Sequence, residues 1–116
     1  MSYVFRRWRE GDKRPTMWSG RLPAETYVLL YEETQVGVAI LGHAPNNVAL
    51  IEIFEPFRGK GHGKEFIKKI EEEVKKKGYD CITAYPVTNE EFWLREGYEV
   101  EKVEGKRKLL KKKLQD

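Results

Sequence analysis

The stretch Phe54-Glu55-Pro56-Phe57-Arg58-Gly59-Lys60-Gly61-His62-Gly63-Lys64 joins an apolar run to the strongest helical pattern in the chain. Its three glycines stand at alternate positions and bare the backbone, so a ligand can approach with no side chain in the way. The helix that follows leaves its first amide N–H groups unpaired and carries partial positive charge at that end, which suits a phosphate. Arg58, Lys60 and Lys64 add cationic charge around it. The local physics therefore predicts a phosphate or pyrophosphate cradle. Spacing excludes two phosphate motifs. A Walker loop needs Gly-Lys followed by serine or threonine, but Gly63-Lys64 is followed by Glu65. Glycines at 59, 61 and 63 also do not fit the dinucleotide fingerprint G-x-G-x-x-G.

Downstream, Phe66, Ile67, Ile70 and Val74 recur at helical spacing and predict a helix from about His62 to Lys77. Glu65–Lys69, Glu71–Lys75, Glu72–Lys76 and Glu73–Lys77 are i,i+4 pairs with the acid first, each expected to add about 0.2–0.5 kcal/mol. Gly78 supplies the left-handed stop. Tyr79 to Tyr85 reads as a buried strand with Cys81 in the core, ended by Pro86. Asn89 is placed to cap a short helix that runs to Arg95 or Glu96 and stops at Gly97. Tyr98–Val103 and Lys106–Leu114 form a hairpin around Glu104-Gly105. The run Lys111-Lys112-Lys113 reads as an edge strand protected against aggregation.

Upstream, Tyr3–Trp8, Thr26–Tyr31, Val36–Leu41 and Val48–Phe54 read as strands. Glu32 to Gln35 turns between the second and third. His43 to Asn47 forms another turn, with His43 at the surface. Residues 11–25 hold Gly11, Pro15, Gly20 and Pro23 and read as loop. The order implies an α/β fold of the α+β kind. Its core is a mixed, mostly antiparallel sheet of about six to seven strands, with one main helix and a short second helix.

With 116 residues the chain is expected to form a single domain, 1–116. Its 22 basic and 19 acidic residues leave a net charge of +3, a weak case for a nucleic-acid partner. No run reaches the roughly 18 apolar residues of a membrane span. Met1 leads into Arg6, Arg7 and Arg9 without the apolar run of a secretory signal. Cys81 is the sole cysteine, which fits a reducing, cytoplasmic compartment. No histidine, cysteine and carboxylate cluster has metal spacing, so no metal is expected.

Arg58, Gly61 and Gly63 fill the pattern Q/R-x-x-G-x-G/A, and the chain resembles the GNAT superfamily of N-acetyltransferases. Phe54-Glu55-Pro56 looks like the family's V-x-P lead-in. Phe92-Trp93-Leu94-Arg95-Glu96-Gly97-Tyr98 resembles its F-Y-x-K-x-G-F segment, and Lys106–Leu114 its last strand. The resemblance covers about residues 26–114. It implies acetyl-CoA as co-substrate, its pyrophosphate resting on Arg58, Gly59, Lys60, Gly61, His62 and Gly63, with Lys64 nearby. The pantetheine arm would pair with backbone of Ile53 and Phe54 where that strand splays from its neighbour. An amide there would polarise the thioester carbonyl. Asn89 would touch the cofactor and Trp93 would pack on the pantetheine. The acceptor is an amine, small-molecule or protein, that attacks directly. Many relatives place two helices between the first two strands. Here that N-terminal helical region is reduced, so the acceptor groove is open or completed by another subunit of a homodimer. Trp8, Met17, Trp18 and Tyr27 either line it or pack in the core.

Attack by an amine needs a base, because only the neutral amine is nucleophilic. Alternation puts Glu52 on one face with Leu50 and Phe54, opposite Ile51 and Ile53, as a partly desolvated candidate. The family's usual acid is the tyrosine of F-Y, and Trp93 stands there instead. Indole donates a hydrogen bond without titrating. Tyr85, ending the previous strand, is the substitute candidate. His62 lies between motif glycines and reads as a solvent-open residue near phosphate. Two competing readings stand beside catalysis. One is a non-catalytic acyl-CoA-binding module. The other is a basic nucleic-acid-binding domain using Arg6, Arg7, Arg9 and the C-terminal lysines, which leaves the glycine cradle unexplained.

Overall fold

β-Branched and aromatic residues build the first half of the chain. β1 (Tyr3–Arg7), β2 (Thr26–Tyr31), β3 (Thr34–Leu41) and β4 (Asn47–Ile53) form an antiparallel meander in the computed structural model, which describes residues 2–86 and 89–114. A single 3-10 turn, Glu55–Phe57, leads to α1 (His62–Lys76). β5 (Cys81–Ala84), α2 (Glu90–Arg95), β6 (Glu99–Glu104) and β7 (Arg107–Lys113) follow. The strands make one seven-stranded sheet in the order β1-β2-β3-β4-β5-β7-β6. β4 and β5 are the parallel pair, bridged by α1, and the other pairings are antiparallel. The architecture is the mixed α+β sheet expected from the element order.

Alternation along the strands divides the apolar residues between the two faces. On one face Tyr27, Leu29, Ala39 and Ile82 pack under α1, whose Phe66, Ile67, Ile70 and Val74 are all fully buried. On the other, Val28, Val38 and Phe54 form a smaller cluster covered by Trp8, Leu30 and Phe57. Tyr27 is therefore core, and Trp8 packs on the smaller cluster. Met17 stands 87% exposed.

Several sequence expectations change. The turn between β2 and β3 is tighter than read, for Glu32 and Glu33 alone make it, at φ 50° and 69°. Two successive left-handed residues match the twist of a two-residue hairpin, a geometry that favours Asn-Gly. Of the four helix ion pairs, Glu65–Lys69 forms at 3.8 Å. Glu71 turns to Lys112 at 3.1 Å and accepts a 2.7 Å hydrogen bond from the Tyr98 hydroxyl. Lys77 pairs with Glu25. Partners from other elements outcompete neighbours on the helix because they sit in less solvated positions. Lys111 to Lys113 do not form an edge strand. β7 lies between β5 and β6, and Lys111 pairs with Glu101 of the true edge, β6. Cys81 is half-buried rather than core, beside the Asn46 amide. Asn89 precedes α2 in a left-handed conformation without a side-chain cap bond.

Tyr98 is 2% exposed, and burial, reinforced by Glu71, pushes its hydroxyl well above the usual phenol range. It is a neutral donor at every working pH. Tyr98→Phe deletes a hydrogen bond to a charged group and is expected to cost about 1.5–3 kcal/mol, read from the denaturant midpoint. The double substitution Glu32→Asn/Glu33→Gly relieves the left-handed turn. It is expected to raise stability by about 1 kcal/mol in the same measurement.

Candidate functional site

α1 opens without a side-chain cap. Gly61 is its N-cap at φ 84°, and Gly59 stands at φ 77°. Both conformations favour glycine. A Cβ added at either position would meet nothing within 4 Å, so the space in front of this turn is open. The first amide of the turn to find a partner is that of Glu65, which donates to the Gly61 carbonyl at 3.3 Å. Among the described residues the N–H groups from Gly59 through Lys64 meet no acceptor. Six successive unpaired amides at a helix N-terminus form a concentrated site of partial positive charge. Arg58, Lys60 and Lys64 stand exposed around it.

Gly63 serves a different end. It lies inside α1, and a Cβ there would come within 3.2 Å of the Phe92 ring and 3.8 Å of Ile53. Its missing side chain lets the starts of α1 and α2 close against the end of β4.

β4 and β5 pair through Asn47–Thr83 and Val48–Ala84 and then part. From Ala49 to Ile53 the β5 side of β4 is open. The Phe54 N–H donates to Val36 of β3 at 2.9 Å. Strand alternation therefore turns the Ile53 amide and carbonyl toward the opening. Of the two backbone positions expected to face a pantetheine arm, Ile53 lies on the free side. Phe54 does not, because β3 holds its amide and its side chain is buried in the smaller cluster. The Ile53 carbonyl already accepts a 2.8 Å hydrogen bond from Arg58 Nε.

Two further expectations are corrected. His62 is not open to solvent. It is 5% exposed, its ring lies 4.8 Å from that of Tyr31, and its Nδ1 shares a 2.7 Å hydrogen bond with the Tyr3 hydroxyl. The first side chain of the helix thus anchors α1 to β1 and β2, and its backbone alone remains with the amide run. Trp93 is also buried, packed edge-on against Tyr98 at 4.9 Å and Phe92 at 5.6 Å. Six residues of α2 put it on the core side and leave Phe92 beside Gly63 and Ile53. The ring at this corner is Phe92, which opens the segment resembling F-Y-x-K-x-G-F and to which the sequence assigned no role of its own.

Glu52 sits on the sheet face away from α1, as alternation requires. Its two carboxylate oxygens accept from the Thr16 amide at 2.9 Å and the Thr16 hydroxyl at 2.8 Å. Thr16 belongs to the segment between β1 and β2, which carries no helix and is pinned flat over this face. The Lys13 amide donates to Gln35 at 2.7 Å, and Trp8 Nε1 donates to the Lys13 carbonyl at 3.1 Å. Asp12 takes both arms of the Arg6 guanidinium at 2.8 and 2.9 Å. Those bonds hold the Asp12 carboxyl below its usual range, so the tie is complete at neutral pH. The result is a cleft of about 610 Å³ lined by Lys13, Arg14, Thr16, Glu52, Phe54 and Arg58. Nothing in the local sequence foretold Thr16 or Lys13, which lie more than thirty positions from Glu52. Tyr85 shares no hydrogen bond with Glu52 among the described residues. The Arg107 guanidinium lies 4.2 Å above its ring.

The arrangement resembles solved structures. N-acetylglutamate synthase from Neisseria gonorrhoeae, complexed with coenzyme A and N-acetyl-glutamate, matches with a TM-score of 0.79 at 12% identity, covering 100% of this chain and 36% of that one. The PaiA N-acetyltransferase of Thermoplasma acidophilum, in complex with coenzyme A, matches with a TM-score of 0.64 at 22% identity, covering 76% of this chain and 59% of that one. An acetyltransferase from Bacillus cereus gives 0.66 at 21%, over 77% and 71%. This chain thus spans less than two thirds of the length of the first two. At these identities the likeness shows the fold. No curated protein matches in sequence. The family model described as Acetyltransferase (GNAT) family matches residues 2–98, and the chain belongs to the GNAT family of acetyltransferases.

Proposed function

We propose that the protein transfers an acetyl group from acetyl-CoA to an amine by direct attack. The observation that carries this reading is the run of unpaired amides from Gly59 to Lys64, set beside the open edge of β4. The amides, with Lys60 and Lys64, would take the pyrophosphate. The Ile53 N–H would bond the pantetheine arm or the thioester carbonyl, whose oxygen gains negative charge as the amine adds. Neither His62 nor Trp93 offers a side chain to the cofactor in this reading, and Phe92 supplies the apolar wall instead. Coenzyme A in two of the similar structures supports the choice of co-substrate.

In the transfer the amine nitrogen forms a bond to the thioester carbon, the C–S bond breaks, and the sulfur leaves as thiolate with the electron pair. Glu52 takes the proton that the nitrogen sheds. Thr16 fixes its carboxylate in one orientation, as positioning of a base requires. Tyr85 is the candidate donor to the thiolate. A non-catalytic acyl-CoA-binding module is the second reading. It is favoured by one observation: the position of the family's usual tyrosine holds a tryptophan, turned into the core.

Calorimetry with coenzyme A tests the cradle. Gly61→Glu puts a side chain and a negative charge where phosphate must approach. It is expected to abolish the binding heat while the circular dichroism spectrum stays that of the parent. Undiminished affinity would refute the assignment. Release of free thiol from acetyl-CoA in the presence of amines separates the enzyme from the binding module. Glu52→Gln is expected to lower kcat/KM by about 10²-fold or more in that assay.

A further inference from the structure

The cleft beside Glu52 holds cations that have no carboxylate partners among the described residues. Lys13, Arg14 and Arg58 line it, and among the described residues none of them lies within 4.0 Å of a carboxylate. Elsewhere the chain pairs its charges readily: Arg6 with Asp12, Lys77 with Glu25, Lys112 with Glu71. In the cleft the opportunity exists and is not used, since Glu52 and Glu55 line the same space. Glu52 is held instead by the two Thr16 donors. Arg58 spends Nε on the Ile53 carbonyl, and Arg14 spends one nitrogen on the Gly20 carbonyl. The Lys13 ammonium sits 5.7 Å from the centre of the Phe54 ring, on the same face as Glu52, and donates to no acceptor among the described residues.

We infer that this cleft takes an acceptor carrying both an amine and a carboxylate, in class an α-amino acid, with Lys13 and Arg14 receiving the carboxylate and Glu52 the amine. The inference rests on the acetyl-transfer reading and names its acceptor. An amine with an uncharged tail leaves the cations without a partner. A polyamine is repelled by them. A zwitterion satisfies both signs at once, and a guanidinium offers its carboxylate a two-pronged bond. Glu52 pairs with Val38, whose side chain lies on the sheet face away from α1, so an amine held at Glu52 approaches the thioester from that face.

Matched acceptors test it. Alanine and glutamate are compared with their α-carboxamides by thiol release from saturating acetyl-CoA. The amides have the less basic amine, so intrinsic reactivity runs against the expected result. The intact protein is expected to favour each acid in kcat/KM by about tenfold or more, the scale of one charge-assisted hydrogen bond. In Lys13→Gln/Arg14→Gln the preference is expected to fall within about threefold, through KM. Lys13→Gln alone, which removes no hydrogen bond of the fold, is expected to lose part of it and guards against a misfolded double variant. Equal use of acid and amide by the intact protein, a preference that survives the double substitution, or no turnover of either while CoA binds would each overturn the inference. Coenzyme A calorimetry run alongside separates the two claims. A protein that fails to bind CoA sinks the acetyl-transfer reading and this inference together. One that binds it and shows no preference sinks only the acceptor.

Discussion

Among the described residues the ladder between β4 and β5 is only two residue pairs long, Asn47–Thr83 and Val48–Ala84, and the candidate site is arranged around the point where the strands part. A parallel pair needs a crossover, and α1 supplies it over one face of the sheet. Beyond Val48 the strands diverge, so backbone groups of β4 that a full ladder would consume face an opening. Such groups need partners. Arg58 already meets one of them at the Ile53 carbonyl. The Ile53 amide lies on the same free side, next to the unpaired amides that begin α1.

The gap persists because its walls are braced from elsewhere. α1 is fixed at its start by the buried His62 against Tyr3 and Tyr31, and along its length by a fully buried apolar stripe. At its middle Glu71 gathers Tyr98 and Lys112 from the far end of the chain. β5 is secured on its other side by β7 through four residue pairs. α1 and β5 are therefore each held by contacts that do not belong to the β4–β5 ladder.

The face away from α1 is closed by chain without regular structure. Gly- and Pro-rich sequence between β1 and β2 cannot form a helix, and side chains hold it in place: Asp12 on Arg6, Gln35 on Lys13, Thr16 on Glu52. This segment brings Lys13 and Arg14 beside a strand more than thirty positions away. It gives the cleft its charge.

The sequence by itself determined the strands, the main helix and the glycine turn that opens it. Each is a local property: β-branched runs, a 3.6-residue apolar stripe, glycines at 59 and 61 where the backbone is left-handed and a side chain would be strained. It also set Glu52 on its correct face, since alternation is local too. Tertiary structure decided what those residues face. Sequence placed His62 in solvent because glycines flank it, whereas its ring found a buried partner in Tyr3, 59 positions earlier. Trp93 and Phe92 were distinguishable only once α2 had a direction relative to the core. Glu71 looked like a helix-surface partner for Lys75 until β7 offered Lys112 in a less solvated position. Spacing along one element reports on that element alone, and the choice among distant partners follows burial and geometry that exist only when the chain has closed on itself.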